Sequence, residues 1–213
     1  MKNFSIDFKK PFLSSIFTTN SAIWFEKDLS KKCEEFKAKI PIEIDMDSTD
    51  QTIEWLKKLD LSWVVYPKEI TTALKYNHCW PYVQSNGKII GCIKIGFKNV
   101  YIADYDKIIK FPDKMAFIYD TYVSDEYRGK NVARYLISQS IKYLKSQGYT
   151  RLGCHIPPWN KASIKAFEKN GFKKVKYVRY YKILGVPIRI TNSISNFSIF
   201  NGGKIINEEL PYS

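Results

Sequence analysis

Long hydrophobic runs are absent from the sequence. In its 213 residues no apolar stretch approaches the ~20 residues that a membrane-spanning helix needs. The N-terminus has neither the apolar segment nor the cleavage site of a signal peptide. A hydrophobic content of 45% with 15% aromatic residues argues against a disordered chain. We therefore expect a soluble, cytoplasmic protein without a membrane span.

Cysteine and histidine are scarce. The cysteines are scattered and form no C-x-x-C pair, so we expect buried thiols in a reducing compartment. They are Cys33, Cys79, Cys92 and Cys154. The adjacent pair His78 and Cys79 has no further ligand at metal spacing. No bound metal is predicted.

Acidic residues are outnumbered by basic ones, 21 to 34, which gives a net charge of +13. One interpretation is a polyanionic partner, such as nucleic acid or an anionic membrane surface. The other is compositional, because lysine, isoleucine and asparagine are abundant together along the whole chain. The lysines are spread out and form no block of about five like charges. We favour the compositional interpretation and predict no specific nucleic-acid partner.

The most informative stretch combines a strand, a basic turn and a helix. An apolar, β-rich run spans residues 115–123, and apolar residues recur at helical spacing over residues 133–144. Between them, Arg128 and Lys130 flank Gly129. The first N–H groups of a helix lack internal partners and attract anions, and a glycine lets the backbone approach a ligand closely. The turn therefore predicts a phosphate site.

Two familiar phosphate motifs are missing from this turn. It contains neither the G-x-x-x-x-G-K-[ST] pattern of a P-loop nor the G-x-G-x-x-G pattern of a dinucleotide site. From the turn alone, an ordinary β–α connection with two solvated cations remains an equal alternative.

Strands and helices are predicted on both sides of this unit. Asn86 and Gly87 predict a type I′ hairpin turn, and Ser48 and Asn160 are the expected caps of two helices. Strands are predicted at residues 21–26, 40–46, 82–97 around the hairpin, 151–156, 172–184 and 188–190, and helices at residues 28–39, 48–59, from 67 onward and 160–171. This order predicts an α/β (α+β) fold with a mixed, mostly antiparallel central sheet and helices on both faces.

A second sequence block, from Asn160 to Phe172, follows the basic turn and its helix. Together the two blocks resemble the Gcn5-related N-acetyltransferase (GNAT) family. That family carries Arg/Gln-x-x-Gly-x-Gly/Ala and, further on, Asn-x-x-Ala-x-x-x-Tyr-x-x-x-Gly-Phe. The resemblance covers residues 89–172 and extends loosely back to residue 40.

The resemblance implies a GNAT domain at residues 40–190. Residues 1–39 are then an N-terminal decoration packed on that domain, where they cover a sheet edge or a helix. Residues 191–213 form a C-terminal tail.

The resemblance also implies the reaction, which is direct transfer of an acetyl group from acetyl-CoA to a primary amine of a small molecule or amino sugar. Backbone N–H groups at the end of the central strand would bind the pantetheine arm and polarise the thioester, while the turn would hold the pyrophosphate. The cofactor-binding residues implied in this way are Tyr122, Val123, Arg128, Gly129, Lys130, Asn131, Val132, Ala133, Asn160, Ser163 and Phe167.

Two of these residues depart from the family pattern. Asn131 stands where the family prefers glycine, although asparagine tolerates left-handed backbone better than most residues. Phe167 stands where a tyrosine usually protonates the leaving thiolate, and phenylalanine has no proton to give. The proton would then come from Ser163, a nearby tyrosine or water.

His155 is the first candidate for a general base. It lies on the predicted strand before Asn160, where several family members have a glutamate, and imidazole titrates near neutral pH. A histidine packed between strands is the alternative. Asp120 and Tyr119 are the next candidates, and strand alternation predicts that only one of them faces the acceptor. Aromatic residues expected to line the acceptor pocket are Trp63, Tyr66, Tyr76, Trp80 and Tyr82.

Other functions stay open at this stage. A non-catalytic acyl-CoA-binding or regulatory module would explain Phe167 and Asn131, and an acyltransferase with a protein or peptide acceptor would share the same fold. The expected partner is a small-molecule amine. The oligomeric state, monomer or homodimer, is not decided by the sequence.

Overall fold

A computed structural model describes residues 17–47, 49–59, 66–183, 186–193 and 205–206. The strands of its main sheet are β1 (Phe17–Asp28), β2 (Glu43–Asp45), β3 (Tyr82–Ser85), β4 (Lys88–Phe97), β7 (Met115–Val123), β8 (Arg151–Ile156), β9 (Lys173–Ile183) and β10 (Val186–Ser193). Their order across the sheet is β10-β9-β1-β8-β7-β4-β3-β2. Neighbours run antiparallel except β7 and β8, which are parallel. The predicted mixed, mostly antiparallel sheet is confirmed.

A second, three-stranded sheet lies beside the first. It contains β5 (Asn99–Ile102), β6 (Lys107–Lys110) and β11 (Ile205–Ile206). The helices of the described ranges are α1 (Thr49–Lys58), α2 (Pro67–Lys75), α3 (Val132–Ser146) and α4 (Lys161–Lys169). None of them combines the length and apolarity that crossing a bilayer requires.

The core is divided between the two faces of the main sheet. Side chains of β7 alternate between the faces, so that Ala116 and Ile118 pack against α3 and α4, whereas Phe117 packs under the β5–β6 hairpin. On that second face α1 and α2 bury Leu56 and Ala73 against Trp80 and neighbouring residues of the sheet. Helices therefore cover both faces, as predicted.

Strand β1 lies inside the sheet, between β8 and β9. Its Trp24 is buried in the cluster under the hairpin, and its Phe25 is buried on the opposite face. The expectation that residues 1–39 merely cover an edge or a helix is therefore wrong for this strand. The division of the chain at residues 39 and 190 stays a prediction.

The helix predicted at residues 28–39 is not formed. The Asp28 carboxylate accepts hydrogen bonds from the N–H and hydroxyl of Ser30, at 2.9 and 2.7 Å, and this local turn competes with a helix. Residues 32–38 have no regular structure, and the Lys39 N–H donates to the Lys130 carbonyl at 2.9 Å. The segment instead crosses the start of α3 in an irregular conformation.

Most other predicted elements are confirmed. Asn86 and Gly87 have φ angles of 52° and 73°, as a type I′ turn requires. The cap predicted at Ser48 lies outside the described residues, as does most of the predicted tail. Within that tail, Ile205 and Ile206 pair with β6.

A β-bulge and a strand separation open the middle of the main sheet. Lys94 of β4 lies opposite Asp120, whereas the next residue of β4 lies opposite Ile118, so Tyr119 is an extra residue in β7. Parallel pairing between β7 and β8 ends at Ile118 and Cys154. Beyond this point the ends of the two strands are not paired with each other.

A buried polar network holds the bulge in place. The indole Nε1 of Trp80 donates to the Tyr119 hydroxyl, which lies 3.2 Å from Nδ1 of His78. His78 Nε2 lies 2.9 Å from the Asn99 carbonyl oxygen. A carbonyl oxygen can only accept a hydrogen bond, so Nε2 carries the proton of the neutral imidazole. The unprotonated Nδ1 therefore accepts a hydrogen bond from the Tyr119 hydroxyl. Burial lowers the pKa of His78 from 6.5 to about 4.

Truncating Phe25 to alanine tests whether β1 belongs to the core. Phe25 is fully buried, so Phe25→Ala should lower the free energy of unfolding by about 3–5 kcal/mol in urea denaturation. Leu74→Ala, at an exposed position of α2, is the matched control and should change it by less than about 0.5 kcal/mol. Similar small effects from both variants would mean that β1 is only a surface covering.

Acidification should destabilise the fold through His78. Between pH 6.5 and about 4 the unfolded chain binds a proton at this residue and the folded chain does not, so stability falls as the pH falls. The decrease in the free energy of unfolding that is attributable to His78 should approach about 3 kcal/mol. Urea denaturation at several pH values should show a shallower pH dependence for His78→Gln than for the wild type. Identical slopes would show that His78 does not titrate in this way.

Candidate active site

A cavity of about 290 Å³ opens where β7 and β8 separate. It reaches both faces of the sheet, since it is bordered by α4 on one side and by α2 and the β5–β6 hairpin on the other. Its lining residues are Tyr66, Glu69, Tyr101, Ile102, Ala103, Asp104, Ile118, Tyr119, Asp120, Thr121, His155, Ile156, Pro157, Trp159, Asn160, Ser163 and Phe167. All three predicted catalytic residues are among them.

A buried ion-pair cluster forms one wall of the cavity. Lys94 Nζ lies 2.8 Å from Glu69 Oε2, 3.2 Å from Asp120 Oδ2 and 4.9 Å from the centre of the Trp80 ring. Burial alone would lower the pKa of Lys94, but the carboxylates of Asp120 and Glu69 outweigh it and raise that pKa. Lys94 therefore stays charged. Its side chain is only 1% exposed, and a buried ammonium group needs acidic partners of this kind to keep its charge.

His155 contacts a carboxylate that the sequence did not single out. Its Nε2 lies 3.0 Å from Oδ2 of Asp104, which a short 3₁₀ turn of the β5–β6 hairpin carries. The hydrogen bond from His155 lowers the pKa of Asp104. The imidazole stacks on Phe117, with ring centroids 5.7 Å apart, and lies beside Trp24.

The orientation of the His155 ring limits its role as a base. Because Asp104 accepts, Nε2 carries the proton in the neutral ring and the lone pair is on Nδ1. Nδ1 is buried and has no hydrogen-bond partner among the described residues. The ring nitrogen that could take a proton therefore faces the interior rather than the cavity.

The bulge changes the expected alternation at Tyr119 and Asp120. Both residues line the cavity, so the prediction that only one of them faces it is wrong. Their chemistry differs, however. The Tyr119 hydroxyl is engaged by Trp80 and His78, and burial raises its pKa far above the usual value. The Asp120 side chain remains 30% exposed, which leaves its carboxylate accessible from the cavity.

The basic turn has the backbone shape expected of an anion site. Gly129 has φ of +74° and nothing within 4 Å of the position that a Cβ would occupy. Asn131 takes the left-handed conformation with φ of 63°, as a glycine would, and precedes the first residue of α3. Its side chain makes no capping hydrogen bond, so it leaves the N–H groups of the first turn of α3 to other acceptors.

Arg128 stabilises the turn from within. Its Nε lies 3.2 Å from the Val123 carbonyl oxygen, and its guanidinium lies 2.7 Å from the Asp125 carboxylate. Lys130 lies 4.9 Å from the centre of the Tyr127 ring. The turn thus leads into the start of α3, at Val132 and Ala133, whose first N–H groups have no side-chain cap.

Hydrogen-bond alternation decides which N–H groups of β7 face the opening. The Ser124 N–H donates to the Ile90 carbonyl of β4 at 2.9 Å. In an antiparallel pair every second residue bonds to the same neighbour, so Tyr122 N–H also points to β4. The N–H groups of Thr121 and Val123 point the other way, toward the separated β8. Of the two predicted backbone donors, Tyr122 and Val123, the N–H of Val123 points toward the opening. The N–H of Thr121, which was not predicted as a donor, points the same way.

The second sequence block supplies the α4 wall. The Asn160 side-chain oxygen accepts from the Ser163 N–H at 3.1 Å and caps α4, as predicted. Ser163 and Phe167 lie one turn apart on the cavity side of this helix. Phe167 is buried and packs edge-to-face against Phe172 at 5.0 Å. Ser163 carries the hydroxyl of this wall.

Lys94 could have been found from the sequence, because it places a charge on an apolar strand and a buried charge needs a partner, whereas Glu69 follows Lys68 in the polar first turn of a helix and gave no such signal. Asp104 gave no such signal, since its contact with His155 depends on how the hairpin folds.

Among the predicted aromatic walls, Tyr66 lines the cavity and Trp80 lies behind Lys94. Tyr76 borders a different cavity, Tyr82 lies on β3 away from the opening, and Trp63 is outside the described residues.

Known proteins share this architecture. Residues 45–172 match the model of the acetyltransferase (GNAT) family. An uncharacterized N-acetyltransferase of Bacillus subtilis, YycN, is 25% identical over 108 residues, which are 51% of this chain and 63% of that protein.

Solved structures also resemble the fold. A putative GNAT acetyltransferase of Novosphingobium aromaticivorans aligns with a TM-score of 0.53 and 16% identity, over 76% of this chain and 65% of that one. A glucosamine N-acetyltransferase region of a fungal multi-domain β-N-acetylglucosaminidase aligns with a TM-score of 0.50 and 13% identity, over 79% of this chain and 21% of that one.

The chain thus spans less than two thirds of each of these relatives. The family model covers more than half of the chain, and its match ends at Phe172, where the second sequence block also ends. This match, which agrees with the separated β7 and β8 strands, shows that the chain belongs to the acetyltransferase (GNAT) family.

Proposed function

We propose that this chain is an acyltransferase that moves the acetyl group of acetyl-CoA directly to a primary amine of a small molecule. One observation carries the proposal. Beyond Ile118 and Cys154, where β7 and β8 separate, a cavity is lined by the carboxylates of Glu69, Asp104 and Asp120, and β7 continues from there into the basic turn before α3. A cationic acceptor would find negative charge in this cavity, and an anionic acyl donor would find basic side chains and backbone N–H groups at the turn.

The residues of the turn fit coenzyme A. The open space at Gly129, the left-handed Asn131 and the uncapped start of α3 suit a pyrophosphate, with Arg128, Lys130, Val132 and Ala133 around it. The Val123 N–H would bond to the pantetheine arm, and Asn160, Ser163 and Phe167 would line it. Tyr122 would contribute through packing, since its N–H points to β4.

The transfer needs a neutral amine, a polarised carbonyl and a proton for the departing thiolate. The amine nitrogen attacks the thioester carbon, a C–N bond forms and the C–S bond breaks. The N–H groups of Thr121 and Val123 would stabilise the negative charge on the carbonyl oxygen. Asp120 would take the ammonium proton, directly or through water. As the amide forms, the nitrogen loses a second proton, which Ser163 or water would relay to the thiolate, because Phe167 has no hydroxyl.

His155 enters this scheme in two alternative ways. It remains the predicted general base if Nδ1 gains access to the amine. In the present geometry it fixes the carboxylate of Asp104 at the cavity wall, which makes it a positioning residue. Tyr119, whose hydroxyl is fully engaged, would act by holding the bulge and thereby Asp120.

The second candidate is an acyl-CoA-binding module without efficient catalysis. Phe167, buried where the family places its proton donor, favours it. A thiol-release assay with acetyl-CoA and a panel of amines separates the two functions. Release that depends on the amine supports the transferase, whereas tight binding of coenzyme A without release with any amine would favour the module.

Changing Gly129 tests the phosphate site. Gly129→Glu should weaken coenzyme A binding by at least about ten-fold in calorimetry, because it puts a carboxylate against the pyrophosphate. Gly129→Ala has the same unfavourable positive φ but adds no charge, so it should lose much less coenzyme A affinity. Unchanged affinity in Gly129→Glu would exclude the turn as the phosphate site.

Two variants of His155 separate its alternative roles. His155→Ala should lower the turnover number for the best amine by about ten-fold or more and leave coenzyme A affinity unchanged. His155→Gln should recover most of the loss, since its amide can donate to Asp104. Equal losses in both variants, with the acid limb of the pH–rate profile removed, would assign the base to His155. Unchanged turnover in His155→Ala would remove His155 from the mechanism.

A further inference from the structure

A second cavity lies at the far end of α3 from the basic turn. Its volume is about 460 Å³, which is within the range of small-molecule sites. The 15 residues of α3 separate it from that turn by roughly 22 Å, at the usual rise per residue of a helix. Its lining comes from the ends of α2, α3 and β4 and from the residues that follow them, and in the described part of the chain no residue lines both cavities.

Aromatic rings make up half of the residues that line this second cavity. Tyr76, Phe97, Tyr143 and Tyr149 are all partly buried, so each ring keeps some of its surface open. Phe97 and Tyr149 stack on each other, with ring centroids 5.0 Å apart. Such rings can stack on, or pack edge-to-face against, a further aromatic ring. The lining therefore suits a planar aromatic molecule.

The polar groups of the second cavity favour an anion. Lys75 and Lys98 supply two positive charges, and the lining has no acidic residue within the described ranges. The ends of α2 and α3 carry about half a negative charge each, which two ammonium groups outweigh. Burial raises the pKa of Tyr143 and Tyr149, so both hydroxyls stay protonated and can donate hydrogen bonds. Asp47, which also raises the pKa of Tyr143, lies outside the lining.

The backbone at this cavity is unusual at two positions. Asn77 has φ of 51° and Lys98 has φ of 59°, and both residues belong to the lining. Asparagine accepts a left-handed conformation readily, whereas lysine does so much less readily. Non-glycine residues held in this way recur at ligand-binding sites. The turn after β4 thus places Lys98 at the cavity in a conformation that local preference does not favour.

We propose that this second cavity is a binding site for a planar aromatic carboxylate. The ring system of the ligand lies against Phe97, Tyr143 and Tyr149. Its carboxylate pairs with Lys98 and accepts a hydrogen bond from a tyrosine hydroxyl. Binding at this site does not depend on the proposed acetyl transfer, because the two cavities use different residues.

The two histidines of the chain distinguish the two cavities. The ring centroid of His78 lies 6.5 Å from that of Tyr76 and 6.4 Å from that of Phe97, whereas His155 lines the cavity where β7 and β8 separate. In NMR spectra of histidine-labelled protein without a polyhistidine tag, 2-naphthoate should therefore shift the imidazole resonances of His78 and leave those of His155 in place. A shift of His155 alone, or no shift of either at millimolar 2-naphthoate, would overturn the proposal.

Calorimetry tests the contribution of charge. Because 2-naphthylmethanol has the same rings without a charge, 2-naphthoate should bind about five-fold or more tightly. Lys98→Asn should weaken 2-naphthoate binding about three-fold or more and leave the alcohol unaffected. Lys114→Asn is the matched control, since Lys114 is another exposed lysine with a left-handed backbone, φ 62°, outside the lining. Equal affinity for the acid and the alcohol would overturn the proposal.

A bulky residue in the cavity tests the location independently of charge. Gln147 is an exposed residue of the lining, so Gln147→Trp should fill the cavity and remove 2-naphthoate binding. Lys145→Trp, in the last turn of α3 and outside the lining, should preserve it. Unchanged His155 resonances in both variants would confirm that the fold is retained. Full 2-naphthoate affinity in Gln147→Trp would overturn the proposal.

Discussion

The separation of two parallel strands is the constraint on which the rest of the site depends. Pairing between β7 and β8 ends at Ile118 and Cys154, and the bulge at Tyr119 begins immediately afterwards. Unpaired N–H groups of β7 then face the opening instead of a neighbouring strand. Such groups are costly to bury without partners, so a ligand that accepts hydrogen bonds has a ready place there.

The bulge is itself maintained by buried polar contacts. Trp80, Tyr119 and His78 form a chain of hydrogen bonds that ends on the Asn99 carbonyl, at the start of the hairpin insertion. The same hairpin carries Asp104 to His155. Hydrogen bonds therefore connect the β5–β6 insertion, the bulge and the cavity wall. This explains why a polar insertion lies so close to the candidate catalytic residues.

Charge is divided between the basic turn and the cavity. The turn before α3 has basic side chains and a helix start without a side-chain cap, whereas the cavity is lined by carboxylates, two of which pair with the buried Lys94. The high net charge of the chain therefore does not describe the cavity. An acidic pocket in a basic protein can attract an ammonium group that the rest of the surface repels.

The sequence by itself determined most of the local elements and the family. The type I′ turn at Asn86, the strand at residues 115–123, the cap at Asn160 and the left-handed Asn131 follow from short-range preferences that a few residues express. Tertiary structure alone decided the rest, because the partners are distant in sequence. It placed β1 between β8 and β9, brought Asp104 to His155 and Lys94 to Glu69, and turned Tyr119 and Asp120 to the same cavity. No local pattern specifies which distant groups will share a buried position; packing and the pairing of buried charges do.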